Sequence, residues 1–281
     1  MKVLVISASD VAACIGSNKH QSSEKMLLEY SNKLREQTGK KKEISNEDEI
    51  LDLIDTKYSK LSDTVDKIIM NKDFHKLDNL EISKIVEYAK DEIYKEIVTS
   101  NTSEVSETSK ISETSEASNT SEVSVCKKEV ILEEFRSKIH KKYGTVSEEK
   151  TSKKIMTETS TTLVEDKKYY TELIWDNEDI IFVLRGRIDR IETTSTGEKI
   201  LIEIKNRMYK LFRYVPKYEL IQVQIYLRML DLENAKLVEQ YRDEIYTHKI
   251  KRNNKMYDEV IMPQLIEFCK KIYDNIFLNN L

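Results

Sequence analysis

The sequence contains few of the residues that cross-link a chain or interrupt its regular structure. Its 281 residues include five Gly, two Pro, one Trp and three Cys. Cys14, Cys126 and Cys269 are widely separated and lack C-x-x-C spacing, so neither a disulfide framework nor a zinc site is indicated. No apolar run is long enough to cross a bilayer, and the run over residues 1–6 is too short for a signal peptide. We expect an intracellular protein that is neither secreted nor associated with a membrane.

A strong positive charge is also absent. The formal net charge is -4 and the pI is about 5.8, so the chain as a whole does not indicate nucleic-acid binding. The charge is uneven, however, because residues 184–218 contain nine Lys or Arg against four Asp or Glu. A basic stretch in an acidic protein suits a polyanionic ligand.

Residues 180–207 carry the clearest chemical signal. Two runs rich in Ile, Val, Leu and Phe flank the turn-forming residues 193–197 and predict a β-hairpin. Side chains alternate along a strand, so Glu203 and Lys205 share one face while the apolar residues between them occupy the other. Closure of the hairpin brings Asp189, which lies late in the first run, near Glu203.

This arrangement predicts a site for a hard metal ion. Burying a carboxylate or an ammonium costs several kcal/mol unless the ion is paired or binds a metal. Asp189 and Glu203, with the backbone carbonyl of Ile204, offer the oxygen ligands that Mg²⁺ prefers. Lys205 can orient a water or help to deprotonate it, which completes the equipment for hydrolysing a phosphodiester. The alternative is a solvated Glu–Lys pair on an exposed strand, worth under about 1 kcal/mol.

The first residues predict a short strand followed by a helix. Ser9 or Asp10 can cap a helix that carries Val11 and Ile15, and Gly16 can end it. The free N–H groups and hydroxyls at such a start can bind a phosphate, although a plain capped helix is the commoner case.

The next part of the chain is polar and helical in pattern. Residues 24–35 and 49–98 have apolar side chains at helical spacing and predict amphipathic helices. Residues 99–125 repeat Thr-Ser-Glu units with almost no large apolar side chains. Such a segment cannot bury enough surface to offset chain entropy and predicts a disordered linker.

A second helical segment precedes the hairpin. Residues 129–154 predict a helix in which Gly144 is a break or a close-packing point, and Glu148, four residues further on, can reach the hairpin. Strands are predicted around residues 154–165 and 168–175.

Cations and aromatic residues alternate directly after the hairpin, over residues 207–218. Such a pattern can bind backbone phosphates and stack on bases, or it can form a partly buried amphipathic connection. The alternating residues are Arg207, Tyr209, Lys210, Phe212, Arg213, Tyr214, Lys217 and Tyr218.

The C-terminal part predicts a helix, two strands and a helix. The first helix, residues 221–230, places Gln222 and Tyr226 one turn apart on one face. Residues 235–253 alternate as a strand pair, and residues 256–277 form an amphipathic closing helix.

Four separated segments resemble motifs of the PD-(D/E)XK nuclease superfamily and, within it, of the YqaJ-like viral recombinase group, which includes lambda-exonuclease-like enzymes. No single motif is highly specific, but their order and spacing together are. The segments are ISASDVAACIG at 6–16, KKYGTVSEEKT at 141–151, GRID followed by EIK at 186–189 and 203–205, and YELIQVQIYLRML at 218–230.

The resemblance implies a fold of the α/β (α+β) class. Its restriction-endonuclease-like core has a mixed β-sheet flanked by helices. The core would comprise residues 1–35 and 126–281, with a helical insertion over 36–98 and the low-complexity, disordered linker over 99–125 between them.

The resemblance also implies the cofactor and the roles of individual residues. Mg²⁺, which Mn²⁺ can replace, is expected, and an iron–sulfur cluster is not, because three scattered Cys cannot hold one. Lys205 would orient the attacking water, and Gln222 would help to place Lys205. The implied metal ligands are Glu148, Asp189, Glu203 and the Ile204 carbonyl. The implied contacts to the 5′-phosphate of a DNA end are Ser7, Ser9 and Lys19, and those to the DNA backbone are Arg187, Arg207, Lys210 and Arg213.

The function implied by the resemblance is that of a Mg²⁺-dependent deoxyribonuclease. It would be a 5′-to-3′ exonuclease that resects double-stranded DNA ends in viral or phage-type recombination or repair. Its expected setting is the host cytoplasm or a viral factory, with a single-strand annealing protein as a partner and a homo-oligomeric ring as the assembly. The alternatives are an endonuclease or a junction- or flap-processing nuclease, and a non-catalytic scaffold that binds DNA ends.

Overall fold

The computed structural model divides the chain into two compact units. One comprises Met1–Glu43 and Glu148–Leu281, and the other comprises Ile44–Ser147. The predicted insertion and linker over residues 36–125 lie almost entirely outside the described residues, so their boundaries stay predictions. The structure describes residues 2–41, 84, 87–88, 91, 137, 141, 143–145, 147–159 and 161–278.

The first unit contains both helices and strands. None of the helices in its described residues has the length and apolar character that crossing a bilayer requires. In chain order its elements are β1 (Lys2–Ser7), α1 (Val11–Cys14), α2 (Ser23–Thr38), the helical residues 148–159 or α3, β2 (Leu163–Glu165), β3 (Tyr170–Asp176), β4 (Ile180–Gly186), β5 (Arg190–Thr193), β6 (Lys199–Asn206), α4 (Lys217–Met229), β7 (Asn234–Tyr241) and β8 (Glu244–Lys251).

The closing helix, α5, changes its hydrogen-bond spacing three times. It is α-helical over Asn254–Met256 and Met262–Tyr273, and π-helical over Tyr257–Ile261 and Asp274–Leu278. Pro263, at the start of the longer α-helical part, has no N–H to donate to the preceding turn. The N–H of Met262 donates instead to the carbonyl of Tyr257, five residues earlier, so the helix continues through a π turn.

The described strands form two mixed sheets. The first has the order β1-β4-β3, in which β1 is parallel to β4, and the second has the order β2-β5-β6-β7-β8, in which β6 is parallel to β7. The remaining pairs are antiparallel. The predicted class, a mixed sheet flanked by helices, is confirmed and is consistent with a restriction-endonuclease-like core. The division of the strands between two sheets was not predicted.

Only half of the predicted hairpin over residues 180–207 is correct. β5 and β6 pair antiparallel around a tight turn, with Arg190 opposite Ile202. β4 instead lies between β1 and β3 in the other sheet. The chain leaves the first sheet at Gly186, where a Cβ would overlap the ring of Tyr226 and lie 3.1 Å from the Cβ of Ala8. The absent side chain therefore lets α4 pack directly against the backbone where the chain passes between the sheets.

Both faces of the second sheet are covered. Leu201 and Leu237 belong to the main core, together with the buried side chains of β1, β4, α1, α2, α4 and α5. Ile202 and Ile204 face the other way, into a smaller cluster with Ile155 of α3. The predicted alternation along β6 is thus confirmed, and it places Glu203 and Lys205 on the side of the main core.

Residues 154–159 were predicted to be a strand, and this prediction is wrong because α3 continues through them. Their Thr residues favour strands, since β-branched side chains restrict a helix. Here the hydroxyls of Thr157 and Thr159 donate to the carbonyls of Lys153 and Ile155, at 3.0 and 2.7 Å. Burial of Ile155 in the smaller cluster outweighs the local preference, and the strand starts only at Leu163.

The remaining predicted elements that fall on described residues are confirmed with small changes in extent, whereas the helices predicted over residues 49–98 and 129–146 lie largely outside the described residues. α2 is longer than predicted: the hydroxyl of Ser22 caps it by accepting from the N–H of Lys25 at 3.1 Å, and Gly39 ends it with a φ of 71°. The strand predicted around residues 168–175 is β3. The helix α4, the strand pair β7–β8 and the closing helix also form as predicted.

We predict that Gly186→Ala lowers the free energy of unfolding by about 1–3 kcal/mol, because its methyl group would overlap the ring of Tyr226. Urea denaturation followed by circular dichroism measures this change. The control is Gly144→Ala, since the residue is helical and, among the described residues, no atom outside its own helix backbone lies within 4 Å of its Cβ position. The control is expected to be neutral or to stabilise by up to about 1 kcal/mol. Equal effects of the two substitutions would contradict the packing argument.

Candidate metal and nucleic-acid site

The side chains of Glu203 and Lys205 point together from β6 toward α4. Glu203 is 2% exposed, and its Oε1 accepts from Nζ of Lys205 at 2.8 Å. The same Nζ donates to Oε1 of Gln222 at 3.1 Å, and Nε2 of Gln222 donates to the hydroxyl of Tyr226 at 3.1 Å. A hydrogen-bonded chain therefore connects the strand to the helix. The sequence placed Tyr226 on the face of Gln222 but gave it no role.

Asp189 lies beside these hydrogen-bonded side chains, immediately before β5. Because Arg190 pairs with Ile202, the next position along the ladder brings Asp189 opposite Glu203. Oδ2 of Asp189 accepts from the N–H of Ile204 at 2.7 Å, which fixes the carboxylate against β6. Asp189, Glu203, Lys205 and Gln222 are therefore brought together.

The electrostatics of this group reflect two buried carboxyls and one ammonium. Burial, and then the charge of Asp189, raise the pKa of Glu203 to about 8, although Lys205 opposes the shift. Burial also raises the pKa of Asp189, against the opposing effect of Lys205. Burial alone would lower the pKa of Lys205, but Glu203, Glu219 and Asp189 together outweigh it and raise that pKa. Lys205 therefore stays an ammonium at neutral pH.

The donor set fits a divalent cation. Oε2 of Glu203 is buried and has no hydrogen-bond partner, and leaving such an oxygen unsatisfied costs free energy. A hard cation between Asp189 and Glu203 would satisfy that oxygen and remove the repulsion between the two carboxyls. In the described part of the chain, no three or more His, Cys, Asp or Glu side chains are grouped so that they could hold a metal. The fit thus rests on two carboxyls and a backbone oxygen.

Glu148, the third predicted ligand, is engaged elsewhere. Its Oε1 accepts from Arg190 at 2.8 Å, and Arg190 also donates to the Asp189 carbonyl at 2.7 Å, to Ser152 at 3.2 Å and to Glu149 at 2.9 Å. Burial, and then the nearby Asp189, raise the pKa of Glu148. Glu148 is thus near the pair but bound to Arg190, because α3 packs on the opposite face of the second sheet. No sequence pattern predicted a role for Arg190, which occupies a buried strand position.

A cleft of about 750 Å³ reaches Tyr226 but is not lined by the two carboxyls, Lys205 or Gln222, and it contains the carboxylates of Asp10 and Glu36. It is lined by Gly186 and Tyr226 and by Ser7 and Ser9, whose hydroxyls are 2.8 Å apart. The predicted phosphate-binding residues Ser7 and Ser9 therefore share a cleft with Tyr226, which is hydrogen-bonded to Gln222. Three cations line the same cleft: Lys33, Arg185 and Arg187. Of these, the sequence analysis named only Arg187.

The start of α1 differs from its prediction. Asp10 occupies the N-cap position, but its side chain makes no capping bond and accepts from the hydroxyl of Tyr30 at 2.8 Å instead. A one-turn helix has only a small dipole, so a phosphate in the cleft would meet hydroxyls and cations more than a helix end. Lys19 is exposed and does not line the cleft, so nothing in the structure connects it with Ser7 and Ser9.

Arg207, predicted to contact the DNA backbone, has a structural role instead. Its guanidinium donates to both carboxylate oxygens of Glu219, at 2.6 and 2.7 Å, and to Glu239 at 2.8 Å. Both carboxylates are buried. Lys210 and Arg213 are exposed, as contact with DNA requires. The sequence could not distinguish Arg207 from them, because its partners lie 12 and 32 residues further along the chain.

Comparison with known proteins gives only a distant likeness. Neither a protein-family model nor a curated protein matches the chain. Among solved structures, SSO0001 has 19% identity over 55% of this chain and 77% of its own, with a TM-score of 0.37. An alkaline exonuclease (LHK-Exo) from Laribacter hongkongensis has 17% identity over 49% and 70%, with a TM-score of 0.37. A phage related exonuclease from Haemophilus somnus 129PT has 16% identity over 50% and 74%, with a TM-score of 0.35. Likeness at this level establishes no function.

We predict that Arg190→Met lowers the free energy of unfolding by about 3–5 kcal/mol, because it leaves Glu148 and the Asp189 carbonyl without their buried donor. Thermal or urea denaturation measures the loss. Adding Glu148→Gln to the Arg190→Met variant is expected to recover part of it. The control, Arg185→Met, removes an exposed guanidinium and should change stability by less than about 0.5 kcal/mol.

We also predict a pH-dependent effect of Glu203→Gln. The folded protein binds the Glu203 proton more tightly than the unfolded chain does, since the pKa rises from 4.5 to about 8. The associated stability is present below pH 4.5 and is lost as the pH rises through about 8. In EDTA, the variant should therefore become progressively more stable than the wild type across this range.

Melting temperatures of both proteins across this pH range test the expectation. A difference that does not change with pH would contradict it. At pH 8, added Mg²⁺ should raise the melting temperature of the wild type and leave that of the variant nearly unchanged, since ligand binding stabilises only a competent site.

Proposed function

We propose that the protein is a Mg²⁺-dependent nuclease that hydrolyses phosphodiester bonds in DNA. The observation that carries the proposal is the pair of the half-buried Asp189 and the buried Glu203 beside the ammonium of Lys205, with one Glu203 oxygen unsatisfied. Two carboxyls and a lysine lie together, and cations line the cleft that reaches Tyr226. Such a site suits a polyanionic substrate.

The proposed roles follow from the contacts. Asp189, Glu203 and the Ile204 carbonyl would hold Mg²⁺ or Mn²⁺, which when bound polarises the scissile phosphate and offsets the charge that develops on it. Lys205 remains protonated, so it acts as a donor and not as a base. Two of its three N–H groups bind Glu203 and Gln222, and the third can orient a water or a phosphate oxygen. Gln222, itself bound to Tyr226, holds the ammonium in place.

The cleft supports the proposal of an exonuclease that acts from a 5′ end. The hydroxyls of Ser7 and Ser9 line one cleft with Arg185 and Arg187 and can bind a terminal phosphate there. A site that needs an end resects linear duplexes and leaves closed ones intact. Action in recombination or repair, a ring of identical subunits and a single-strand annealing partner belong to the same proposal and rest on the sequence resemblance.

We predict that Asp189→Asn and Lys205→Ala each reduce cleavage of linear duplex DNA by about 100-fold or more, because each removes charge at the reacting phosphate. Initial rates in Mg²⁺ measure the loss, with EDTA as the metal-free reference. Lys199→Ala is the matched control, since Lys199 is an exposed lysine of the same strand and should keep full activity. Wild-type rates in either site variant would overturn the metal-site assignment.

The choice of substrate distinguishes the exonuclease from its alternatives. A linear duplex with 5′-phosphates should be degraded faster than its dephosphorylated form, and the Ser7→Ala/Ser9→Ala double variant should lose that preference. Digestion of a covalently closed circle would favour an endonuclease. Absence of turnover in both Mg²⁺ and Mn²⁺ would favour the non-catalytic scaffold that binds DNA ends.

A further inference from the structure

The loop of residues 207–216, between β6 and α4, meets the edge strand β8 at the surface. Tyr214 of the loop is 56% exposed, and its ring stacks on Phe212 with 5.7 Å between centroids and 19° between planes. Tyr246 of β8 is 40% exposed. Arg213 connects the two, because its guanidinium lies 5.9 Å from the centroid of the Tyr246 ring. Tyr214, Arg213 and Tyr246 form what we call the aromatic patch.

Glu239, which is fully buried in β7, holds both halves of the patch. Its Oε2 accepts from the backbone N–H of Arg213 at 2.9 Å, and Oε1 accepts from that of Phe212 at 3.4 Å. Oε2 also lies 3.3 Å from Nε2 of His248, whose ring packs against Tyr246 with centroids 4.8 Å apart. Loop and strand are thus fixed by one carboxylate.

The backbone of Arg213 shows how firmly the loop is held. Its φ is 58°, in the left-handed region that costs a residue with a side chain of order 1–2 kcal/mol. The bond from its N–H to Glu239 helps to maintain this conformation, which would otherwise relax. A patch already ordered before it binds loses little further entropy when a ligand arrives.

The chemistry of the patch selects its ligand. Exposed tyrosine rings offer faces on which planar bases can stack, and cations beside them attract a phosphate backbone. The large apolar side chains exposed in residues 207–216, Tyr209 and Tyr214, are both aromatic, and each is next to a cation in the chain. The exposed cations within four residues of the patch in the chain include Lys210, Arg213, Lys217 and Arg242, against the carboxylates Asp243 and Glu244, and the guanidinium of Arg213 is ion-paired with Glu244 at 3.4 Å.

The position of the patch relates it to the candidate metal site. The loop begins directly after Asn206, one residue beyond Lys205, and ends at the start of the helix that carries Gln222. Bases in a duplex are stacked on one another, so rings of this kind reach them only when a strand is unpaired.

We propose that the aromatic patch binds single-stranded DNA by stacking bases on Tyr214 and Tyr246. This inference rests on the proposed nuclease function and deepens it: the patch holds an unpaired strand next to the site where phosphodiesters are cleaved.

Binding of fluorescein-labelled oligothymidylate to the full chain in EDTA, measured by fluorescence anisotropy, tests the proposal. Tyr214→Ala and Tyr246→Ala should each weaken binding by about fivefold or more, since a ring is lost from the stack. Tyr214→Phe and Tyr246→Phe keep the ring and should bind as the wild type does. Tyr88→Ala is the matched control, because Tyr88 is likewise 56% exposed but lies in the other compact unit.

Two further ligands separate stacking from a general attraction to phosphates. An abasic oligonucleotide of the same length should bind the Tyr→Ala variants and the wild type equally. A covalently closed duplex should also show no difference between them. Failure of the wild type to bind oligothymidylate, or equal losses with the abasic or duplex ligand, would overturn the proposal.

The assay contains no metal and measures no cleavage, so it separates the patch from the nuclease. If the protein binds oligothymidylate through the two tyrosines but cleaves no DNA, the proposal of the aromatic patch is supported and that of the nuclease is rejected. If the protein cleaves duplex ends but its Tyr→Ala variants bind oligothymidylate as the wild type does, the proposal of the nuclease is supported and that of the aromatic patch is rejected. Melting curves of each variant identify losses that come from misfolding, and in that case the Phe variants and the abasic ligand decide.

Discussion

The buried charge of β6 is the constraint on which the rest of the first unit depends. β6 is the middle strand of the second sheet, with β5 and β7 on its edges and helices over its faces. A carboxylate and an ammonium placed there have little water, so the surrounding elements must supply their partners. Asp189 comes from the strand before, Gln222 comes from the helix after, and one oxygen of Glu203 remains unsatisfied. That unsatisfied oxygen is the observation on which the proposed metal site rests.

Two arginines keep this arrangement in place from either side. Arg190 connects α3 to the residue that precedes β5, because its guanidinium donates to the carboxylate of Glu148 and to the backbone carbonyl of Asp189. Arg207 joins the end of β6 to α4 and β7 through Glu219 and Glu239. Both guanidiniums are largely buried, and each makes two or more hydrogen bonds to its partners. An arginine bound in this way holds the elements that it joins in position and also balances their charge. Arg190 and Arg207 therefore stabilise the fold. The cations proposed to bind a ligand lie in the cleft and on the loop of residues 207–216.

Sequence reasoning succeeded where the chemistry follows from local periodicity. The alternation of Ile202, Glu203, Ile204 and Lys205 and the one-turn spacing of Gln222 and Tyr226 are properties of a strand and a helix alone. It failed where the outcome depends on distant partners. The passage of the chain between sheets at Gly186 depends on Tyr226, the extra turns of α3 depend on the cluster beneath Ile155, and the inward turn of Arg207 depends on two carboxylates far along the chain.

The ion pairs of Arg207 also determine how this part of the protein can open. Separating β6 from α4 or β7 would expose a guanidinium and two carboxylates at once, so none of the three can fray alone. Such a group behaves as one cooperative unit in sub-global unfolding. The backbone amides at the end of β6, at the start of α4 and in the middle of β7 are therefore expected to exchange their hydrogens with solvent at a common rate, although the three segments are far apart in the sequence.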